Sequence, residues 1–345
     1  MIKIAVDAMG GDNAPHSEVL GVVQAVQEYD VGVILVGAED RLREELRKNK
    51  ATHLPIEIVH ASEVISMDEA VSTAIRKKKD SSIRVAAKLV REGKADGVVS
   101  AGNTGACMAV TKVIVGSLPT VDRPALATVL PTAKNRPVVL IDVGANVDCK
   151  PNHLTQFAIM GEIFSRSILE VSRPRVGLLS IGEEESKGNE LTKEVLRILK
   201  VAPFNFVGNV EGRDLFRGDV DVVVCDGFIG NVALKLSEGL TEMLTGLLKR
   251  DLSAYLSSQI GALLARKAFR NFKTRVDYSE YGGAPLLGVR GIVIICHGSS
   301  PAKAIKNAIR VARHCCISRV NQKIEEEIKA LSFIQRDAPA NIMIN

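Results

Sequence analysis

The chain has 345 residues, of which 46% are hydrophobic and 25% charged, and its formal net charge is +5. This length gives one large α/β domain or two ordinary ones enough apolar surface for a core. The mild basic excess, with 4% aromatic residues and no tryptophan, argues against a nucleic-acid binder, which usually shows a denser basic stripe and stacking aromatics. The six cysteines form no C-x-x-C pair and no zinc-finger spacing. We therefore interpret most of them as reduced core residues and expect no metal site.

Seven short apolar runs, each ending in a turn rich in glycine, asparagine or aspartate, recur along the chain. In chain order they cover residues 2–6, 33–36, 97–100, 138–141, 176–181, 220–225 and 292–296. The runs are continuously apolar rather than alternating, which is typical of parallel strands buried on both faces. Apolar residues at helical spacing lie between them, for example at 19–26, 83–90 and 305–320. This alternation predicts an α/β fold, a mostly parallel sheet with helices on both faces.

No internal repeat or flexible linker divides the sequence, and the nearest candidate for a break is 119–137. We therefore predict a single α/β unit over residues 1–335, with one lobe or two, and a loose C-terminal tail at 336–345. The N-terminal residues show no basic segment followed by an apolar run, so we expect no signal peptide. The uncharged stretch 252–265 is too short for a membrane span of about 20 residues. These features predict a soluble, cytoplasmic protein.

The turns after the strands are the candidate binding site. Ligands of parallel α/β sheets bind outside the carboxyl ends of the strands, where glycine lets the backbone approach and helix N-termini offer N–H donors to an anion. We expect the turns to meet at one edge and to bind phosphate or another oxyanion. The candidate residues are Asp7, Gly10, Gly11, Gly102, Asn103, Thr104, Gly105, Gly144, Asn146, Gly227 and Gly230. The alternative is that glycine and asparagine only close these turns, whether or not a ligand binds.

Familiar catalytic motifs are absent from the sequence: it has no Walker A loop, no G-x-G-x-x-G after the first strand and no G-x-S-x-G. Cys107 lies at a predicted helix start but has no histidine beside it, so it is a weak candidate nucleophile. Lys187 follows three glutamates near a predicted helix N-terminus, where a cation is unfavourable unless it meets an anionic ligand or one of those glutamates. His297, at the end of the last strand, is either a hydrogen-bonded core residue or a proton donor.

Six segments resemble one family in composition and order. They are DAMGGD at 7–12, SAGNTG at 100–105, DVGANVD at 142–148, IGEEE at 181–185, CDGFIGN at 225–231 and YGGAPLLG at 281–288. In these segments the chain resembles the acyl-acyl carrier protein:phosphate acyltransferases of bacterial phospholipid synthesis.

The resemblance implies that inorganic phosphate attacks the thioester of a long-chain acyl-acyl carrier protein, giving acyl-phosphate and free carrier protein. It implies a fold like that of phosphotransacetylases and the isocitrate-dehydrogenase group, no cofactor, and a homodimer at the inner membrane surface that supplies a downstream membrane acyltransferase. On this interpretation Lys187 and turn N–H groups hold phosphate, and Asn231, Asn103 and Thr104 are candidate donors to the thioester oxyanion. His297 is then a candidate acid for the leaving thiolate.

Two basic features are candidate partner surfaces. Arg76, Lys77, Lys78 and Lys79 would steer an acidic carrier protein, although a solvated helix face is an equally good interpretation. Residues 240–275 have leucines at helical spacing followed by basic residues, which is typical of an interfacial amphipathic helix. Leu256, Ile260 and Leu263 would contact the membrane; the alternative is a helix hairpin packed in a dimer.

Two other functions remain open at this stage. A phosphotransacetylase that uses acyl-CoA would need the same phosphate and thioester site. A non-catalytic membrane scaffold for lipid enzymes would explain the basic amphipathic segment but not the glycine-rich turns.

Overall fold

The computed structural model describes residues 1–337, which form one continuous mixed sheet covered by helices. The strands are β1 (Lys3–Asp7), β2 (Gly32–Gly37), β3 (Ile56–His60), β4 (Gly97–Ser100), β5 (Ala125–Leu130), β6 (Val138–Ile141), β7 (Val176–Leu179), β8 (Phe206–Val210), β9 (Val222–Val224), β10 (Ala284–Leu287) and β11 (Ile292–Ile295). The helices are α1 (His16–Glu28), α2 (Glu39–Lys48), α3 (Val71–Lys77), α4 (Ser82–Arg91), α5 (Thr104–Ile114), α6 (Pro151–Ile168), α7 (Glu190–Lys200), α8 (Gly227–Ala254), α9 (Leu256–Leu264), α10 (Arg266–Val276), α11 (Ala302–Ile317) and α12 (Val320–Asp337).

The strand order is β3-β2-β1-β4-β11-β10-β5-β6-β9-β7-β8. β3, β2, β1, β4 and β11 are parallel to one another, and so are β6, β9, β7 and β8. Between these blocks, β10 pairs antiparallel with both β11 and β5, and β5 pairs antiparallel with β6. Three successive antiparallel pairings separate the blocks, so the strands of one block run opposite to those of the other.

The sheet is buried on both faces because alternate strand residues point into two apolar layers. On β1, Val6 joins a layer built with α1, α6, α7, α11 and α12, while Ala5 joins the layer built with α4 and α5. On β6 in the other block, Ile141 and Leu140 divide between the same two layers. The predicted α/β fold with helices on both faces is confirmed, and each layer extends across both blocks.

All seven predicted strands are present, and four further strands were not predicted. β3 and β8 are the outermost strands of the sheet, and polar residues such as Glu57 and Asn209 interrupt their apolar pattern. β5 lies within the predicted break at 119–137, and β10 contains Pro285. Neither β5 nor β10 leads into a glycine turn and helix of the kind that marked the other strands.

The predicted amphipathic segment at 240–275 is helical, formed by the second half of α8 together with α9 and α10. Leu256, Ile260 and Leu263 are all exposed on α9. No helix within residues 1–337 is both long enough and apolar enough to cross a bilayer. Helix α12 extends two residues into the predicted tail at 336–345, and the rest of that tail lies outside the described residues.

Candidate active site

The glycine turns divide between two opposite edges of the sheet. The turns after β1, β4 and β11 lie at one edge, called here the β1 edge, which contains residues 8–15, 101–103 and 296–301. The turns after β6, β7 and β9 lie at the opposite edge, called the β9 edge, which contains residues 142–150, 180–189 and 225–228. The expectation that all these turns meet at one edge is wrong, because β10 and β5 reverse the strand direction between the blocks.

Close backbone packing holds the β1 edge together. A Cβ atom on Gly10 would lie 2.8 Å from the Cα atom of Gly102, so the turns after β1 and β4 approach this closely because residue 10 is glycine. Asp7 is buried beneath them, and its carboxylate accepts a hydrogen bond of 2.7 Å from the Ser100 hydroxyl. The Ser100 hydroxyl in turn accepts the Gly102 N–H at 3.1 Å. These candidate ligand residues therefore make contacts that stabilise the turns themselves.

Carboxylates dominate the charge at the β1 edge. Burial raises the pKa of Asp7 above its ordinary value. Glu18, from α1, lies under Gly11 and is only 1% exposed. Its burial, together with the nearby carboxylates of Asp7 and Asp12, raises its pKa from 4.5 to about 7. Such a cluster repels a phosphate, so the β1 edge is unfavourable for an anionic substrate.

The predicted donors at the start of α5 lie at the β1 edge. Asn103 caps the helix, its Oδ1 accepting the Ala106 N–H at 3.0 Å, and its Nδ2 donates to the Met67 carbonyl at 2.7 Å. Thr104 is the first residue of α5, and Gly105 is the second. His297 is exposed at the same edge, with its Nδ1 atom 2.8 Å from the Ser299 hydroxyl. These candidates thus lie at the opposite edge of the sheet from Lys187 and Asn231. They are Asn103, Thr104, Gly105 and His297.

Asp142 organises the β9 edge. Its buried carboxylate accepts hydrogen bonds from the N–H groups of Leu126 at 2.9 Å, Ala145 at 3.0 Å and Asn146 at 2.7 Å. The amide of Asn146 donates to the same carboxylate at 2.9 Å and to the Pro124 carbonyl at 2.8 Å. Burial raises the pKa of Asp142, and these hydrogen bonds oppose that rise. Asn146, predicted to bind phosphate, spends both amide hydrogens on holding its turn.

The N-terminus of α8 packs directly on this turn. Asp226 caps the helix by accepting the Ile229 N–H at 2.9 Å. The Gly227 N–H donates to the Asn146 carbonyl at 2.7 Å, and a Cβ atom on Gly230 would overlap the carbonyl oxygen of Asp142. Gly227 and Gly230 therefore allow a close approach between helix and turn.

Asn231 extends from the first turn of α8 over Gly144. Its Nδ2 atom donates to the Val143 carbonyl at 3.1 Å and would lie 2.9 Å from a Cβ atom on Gly144. Gly144 also has a φ of +140°, which side chains other than glycine's rarely allow. The bond to Val143 uses one of the two amide hydrogens of Asn231, which leaves a second hydrogen as a donor. Asn231 thus keeps one amide hydrogen for a ligand, as Asn103 does at the opposite edge, whereas Asn146 has used both of its own.

Lys187 is an exposed cation at the β9 edge. The sequence predicts that Lys187 meets either an anionic ligand or a neighbouring glutamate. In the described part of the chain, no ion pair involves Lys187. Glu183 faces Arg213 at 3.9 Å, and Glu185 pairs with Lys200. Two of the three loop acids thus pair with other cations, and Lys187 stays available to an anion.

Arg123 adds a second cation, which the sequence analysis missed. It is exposed and lies near the turn at 142–150. Burial raises the pKa of Cys149, which belongs to that turn, to about 11, and the nearby positive charge of Arg123 opposes this rise. Nothing in the sequence before Pro124 marks it, since β5, which begins two residues after Arg123, was not predicted. Lys187 and Arg123 thus offer an anionic ligand two cations at the β9 edge, which also carries carboxylates such as Asp142, Asp226 and Glu184.

The cysteines do not form a nucleophilic site. Burial raises the pKa of Cys107 to about 12, opposite to the shift that a reactive thiolate requires. The residues that the structure describes also contain no group of three or more histidine, cysteine, aspartate or glutamate side chains arranged to hold a metal ion.

The basic residues predicted to contact the carrier protein have different surroundings. Arg76, Lys77 and Lys79 are exposed at the end of α3. Lys78 turns inward and forms an ion pair of 2.5 Å with Glu69, and it also donates to the Val64 carbonyl at 2.6 Å. Three cations of the predicted surface therefore face solvent, and the fourth fastens the loop before α3.

Comparisons with known proteins agree with the resemblance in the motifs. A family model described as "Fatty acid synthesis protein" matches residues 2–323. The chain belongs to this family. Its relatives include a phosphate acyltransferase of Geobacter sp. (strain M21), 56% identical over 95% of this chain and 93% of the relative. A phosphate acyltransferase of Koribacter versatilis (strain Ellin345) is 59% identical over 96% of this chain and 94% of the relative.

The fold of this fatty acid synthesis protein also resembles that of solved phosphotransacetylases. A phosphotransacetylase from Streptococcus pyogenes matches with a TM-score of 0.62 and 16% identity over 92% of this chain and 94% of the other. The EutD phosphotransacetylase from Staphylococcus aureus matches with a TM-score of 0.58 and 16% identity over 91% and 94%. These similarities confirm the predicted phosphotransacetylase-like fold.

Proposed function

We propose that this protein is a phosphate acyltransferase that transfers a long-chain acyl group from acyl carrier protein to inorganic phosphate, giving acyl-phosphate for phospholipid synthesis. The names of its close relatives support this reaction. The observation that carries the proposal is the β9 edge, where the unpaired Lys187, the remaining donor of Asn231 and the N-terminus of α8 lie at the ends of neighbouring strands.

Each group has a distinct role in this mechanism. Phosphate is an anion at neutral pH and needs positioning more than deprotonation, so Lys187 and N–H groups of the turns hold it. Its oxygen attacks the thioester carbonyl, and Asn231 donates a hydrogen bond to the developing oxyanion. Collapse of the tetrahedral species releases the carrier protein's thiolate, which leaves without a general acid. The step therefore needs neither His297, at the opposite edge, nor a covalent acyl-enzyme.

The direct test is phosphate-dependent loss of the thioester from hexadecanoyl-acyl carrier protein and from hexadecanoyl-CoA. We expect the carrier-protein substrate to react faster, and Lys187→Ala to lower kcat/KM by about 100-fold. Lys112→Ala, which removes an exposed lysine from α5, is the matched control. Preference for acyl-CoA would instead support a phosphotransacetylase, and the absence of phosphate-dependent thioester loss with either substrate would favour a non-catalytic scaffold. Acyl label retained on the protein would contradict direct attack.

We also propose that Arg76, Lys77 and Lys79 attract the acidic carrier protein. All three are exposed, whereas Lys78 is held by Glu69. Lys77→Glu with Lys79→Glu should raise KM for acyl carrier protein several-fold, more at low salt than at high salt, because rim charges act mainly on association. An unchanged KM at low salt would remove this surface from the partner interface.

Helices α9 and α10 are our candidate contact with the inner face of the cell membrane. Leu256, Ile260 and Leu263 are exposed, and the exposed Arg266 and Lys267 follow in α10. An enzyme bound in this way would release its hydrophobic, reactive acyl-phosphate beside a downstream membrane acyltransferase. Vesicles containing phosphatidylglycerol should carry the wild type in a flotation assay but not Leu256→Glu with Ile260→Glu. Ile317→Glu, an equally exposed position on α11, is the control; equal flotation of all three would exclude the membrane role.

A homodimer is the arrangement we propose for α8. Exposed apolar residues recur at helical spacing along it, including Leu236, Leu240, Met243 and Leu247. A second copy of the chain would cover this stripe while residues 1–335 act as one catalytic unit. Sedimentation should show a dimer that Leu240→Glu dissociates; a monomeric wild type at micromolar concentration would refute the assembly.

A further inference from the structure

Three large apolar side chains are exposed at the β9 edge. Val147 is 59% exposed, Ile181 82% and Phe228 56%. Each follows a different strand: Val147 lies in the turn after β6, Ile181 in the turn after β7 and Phe228 at the start of α8, directly after β9. We call these three residues the apolar collar.

The sheet brings the members of the collar close together. β9 lies between β6 and β7, and Val224 is in register with both Ile141 and Leu178. Ile181 and Phe228 follow these paired positions by three and four residues, so they emerge at similar heights above adjacent strands.

Direct contacts fix the other side of the collar. The Gly227 N–H bonds to the Asn146 carbonyl at 2.7 Å, so the next residues in the chain, Phe228 and Val147, are neighbours. Gly182, which follows Ile181, packs against the stem of Lys187, with a Cβ atom on it falling 2.8 Å from the lysine Cγ. The collar therefore borders the polar groups that bind phosphate and the thioester carbonyl in the proposed reaction.

We propose that the apolar collar binds the first methylene groups of the substrate's acyl chain, next to the thioester carbonyl, and sets the preference for long chains. The inference rests on the proposed function and adds specificity-determining residues to it. Leaving three bulky apolar side chains in water does not stabilise the fold, whereas burying them against methylene groups removes apolar surface from water and is favourable. Side chains without donors or acceptors suit a hydrocarbon better than the carrier protein's pantetheine arm, whose amides require polar partners.

The test measures kcat/KM for phosphate-dependent thioester loss as a function of chain length. Ile181→Ser and Val147→Ser are assayed with butanoyl- and hexadecanoyl-acyl carrier protein. Val201→Ser is the matched control, because Val201 is 76% exposed at the far end of α7. We expect each collar variant to lower kcat/KM about tenfold for the hexadecanoyl substrate and less than twofold for the butanoyl substrate. The control should change neither value.

Equal losses for both chain lengths would overturn the inference, because they would place the collar against the pantetheine arm or the carrier protein. A variant that changes sedimentation but not the chain-length ratio would overturn it too, since the collar would then be a subunit contact. Persisting phosphate-dependent turnover of the butanoyl substrate would leave the proposed function intact in either case. Absence of phosphate-dependent turnover of the hexadecanoyl substrate in the wild type would refute the proposed function itself.

Discussion

Replacing Glu18 by glutamine tests the electrostatics of the β1 edge. The Glu18 side chain is buried by α1 and the turn after β1, and its Oε2 atom has no hydrogen-bond partner among the described residues. Burial, with the carboxylates of Asp7 and Asp12, raises its pKa from 4.5 to about 7. Glutamine has nearly the same shape and cannot ionise, so the substitution removes the charge with little change in packing.

The raised pKa of Glu18 fixes both the sign and the size of the effect that its ionisation has on stability. Below pH 4.5 the carboxyl is protonated in the folded and the unfolded chain, and its ionisation does not affect stability. Between pH 4.5 and about 7 the unfolded chain releases the proton while the folded chain keeps it, so stability falls by about 1.4 kcal/mol per pH unit. Above pH 7 the loss in the free energy of unfolding is complete, at about 3 kcal/mol. Glu18→Gln should therefore gain stability relative to the wild type as the pH rises, and then level off.

Urea unfolding of the wild type and Glu18→Gln between about pH 5 and pH 8 measures this difference. Asp7 and Asp142 also have raised pKa values, but they are present in both proteins and cancel in the comparison. Glu194→Gln, at an exposed position of α7, is the control for loss of one carboxylate. A difference between Glu18→Gln and the wild type that is the same at both ends of the pH range would refute the reasoning.

Two further predictions concern packing and charge. Gly230→Ala should prevent folding to a soluble protein, because the added Cβ atom would overlap the Asp142 carbonyl. Gly246→Ala, on the same helix with open space around it, should stabilise the protein by up to about 1 kcal/mol. Soluble yield measures the first effect and thermal unfolding the second. Asp221→Asn should lower the free energy of unfolding by about 3 kcal/mol, since it leaves Arg175, now paired at 2.9 Å, beside a neutral group. Urea unfolding measures the second effect, and a loss below about 0.5 kcal/mol would show that the pair is no stronger than a surface ion pair.

The central strands were predictable from the sequence because burial on both faces requires continuous apolar runs. β6 (Val138–Ile141) and β9 (Val222–Val224) are buried throughout, and their runs are uninterrupted. Strand direction was not predictable, because an apolar run such as β5 (Ala125–Leu130) satisfies a parallel or an antiparallel neighbour equally well. Two unrecognised strands in the middle of the sheet were enough to send the turns to opposite edges.

The turn residues show the same limit at the level of the site. Asn103, Asn146 and Asn231 all stand in glycine-rich turns after predicted strands, and the sequence gives no reason to separate them. In the structure Asn146 uses both amide hydrogens on acceptors around its turn, whereas Asn103 and Asn231 each keep one. Whether an amide is used up depends on acceptors distant in sequence, such as the Pro124 carbonyl, and no local pattern records their positions.

The exposed cations Lys187 and Arg123 favour the β9 edge as the place where an anionic substrate binds. At the β1 edge, a phosphate would approach Asp7, Asp12 and the Glu18 carboxyl, which ionises near pH 7. At the β9 edge it would approach Lys187 and Arg123, neither of which forms an ion pair in the described part of the chain. The motif at 7–12 therefore needs no phosphate to explain it: Gly10 allows the contact between two turns, and the Asp7 carboxylate accepts a hydrogen bond from Ser100. A glycine-rich turn is a candidate anion site only where available cations lie beside it, and at the β9 edge Lys187 and Arg123 meet that condition.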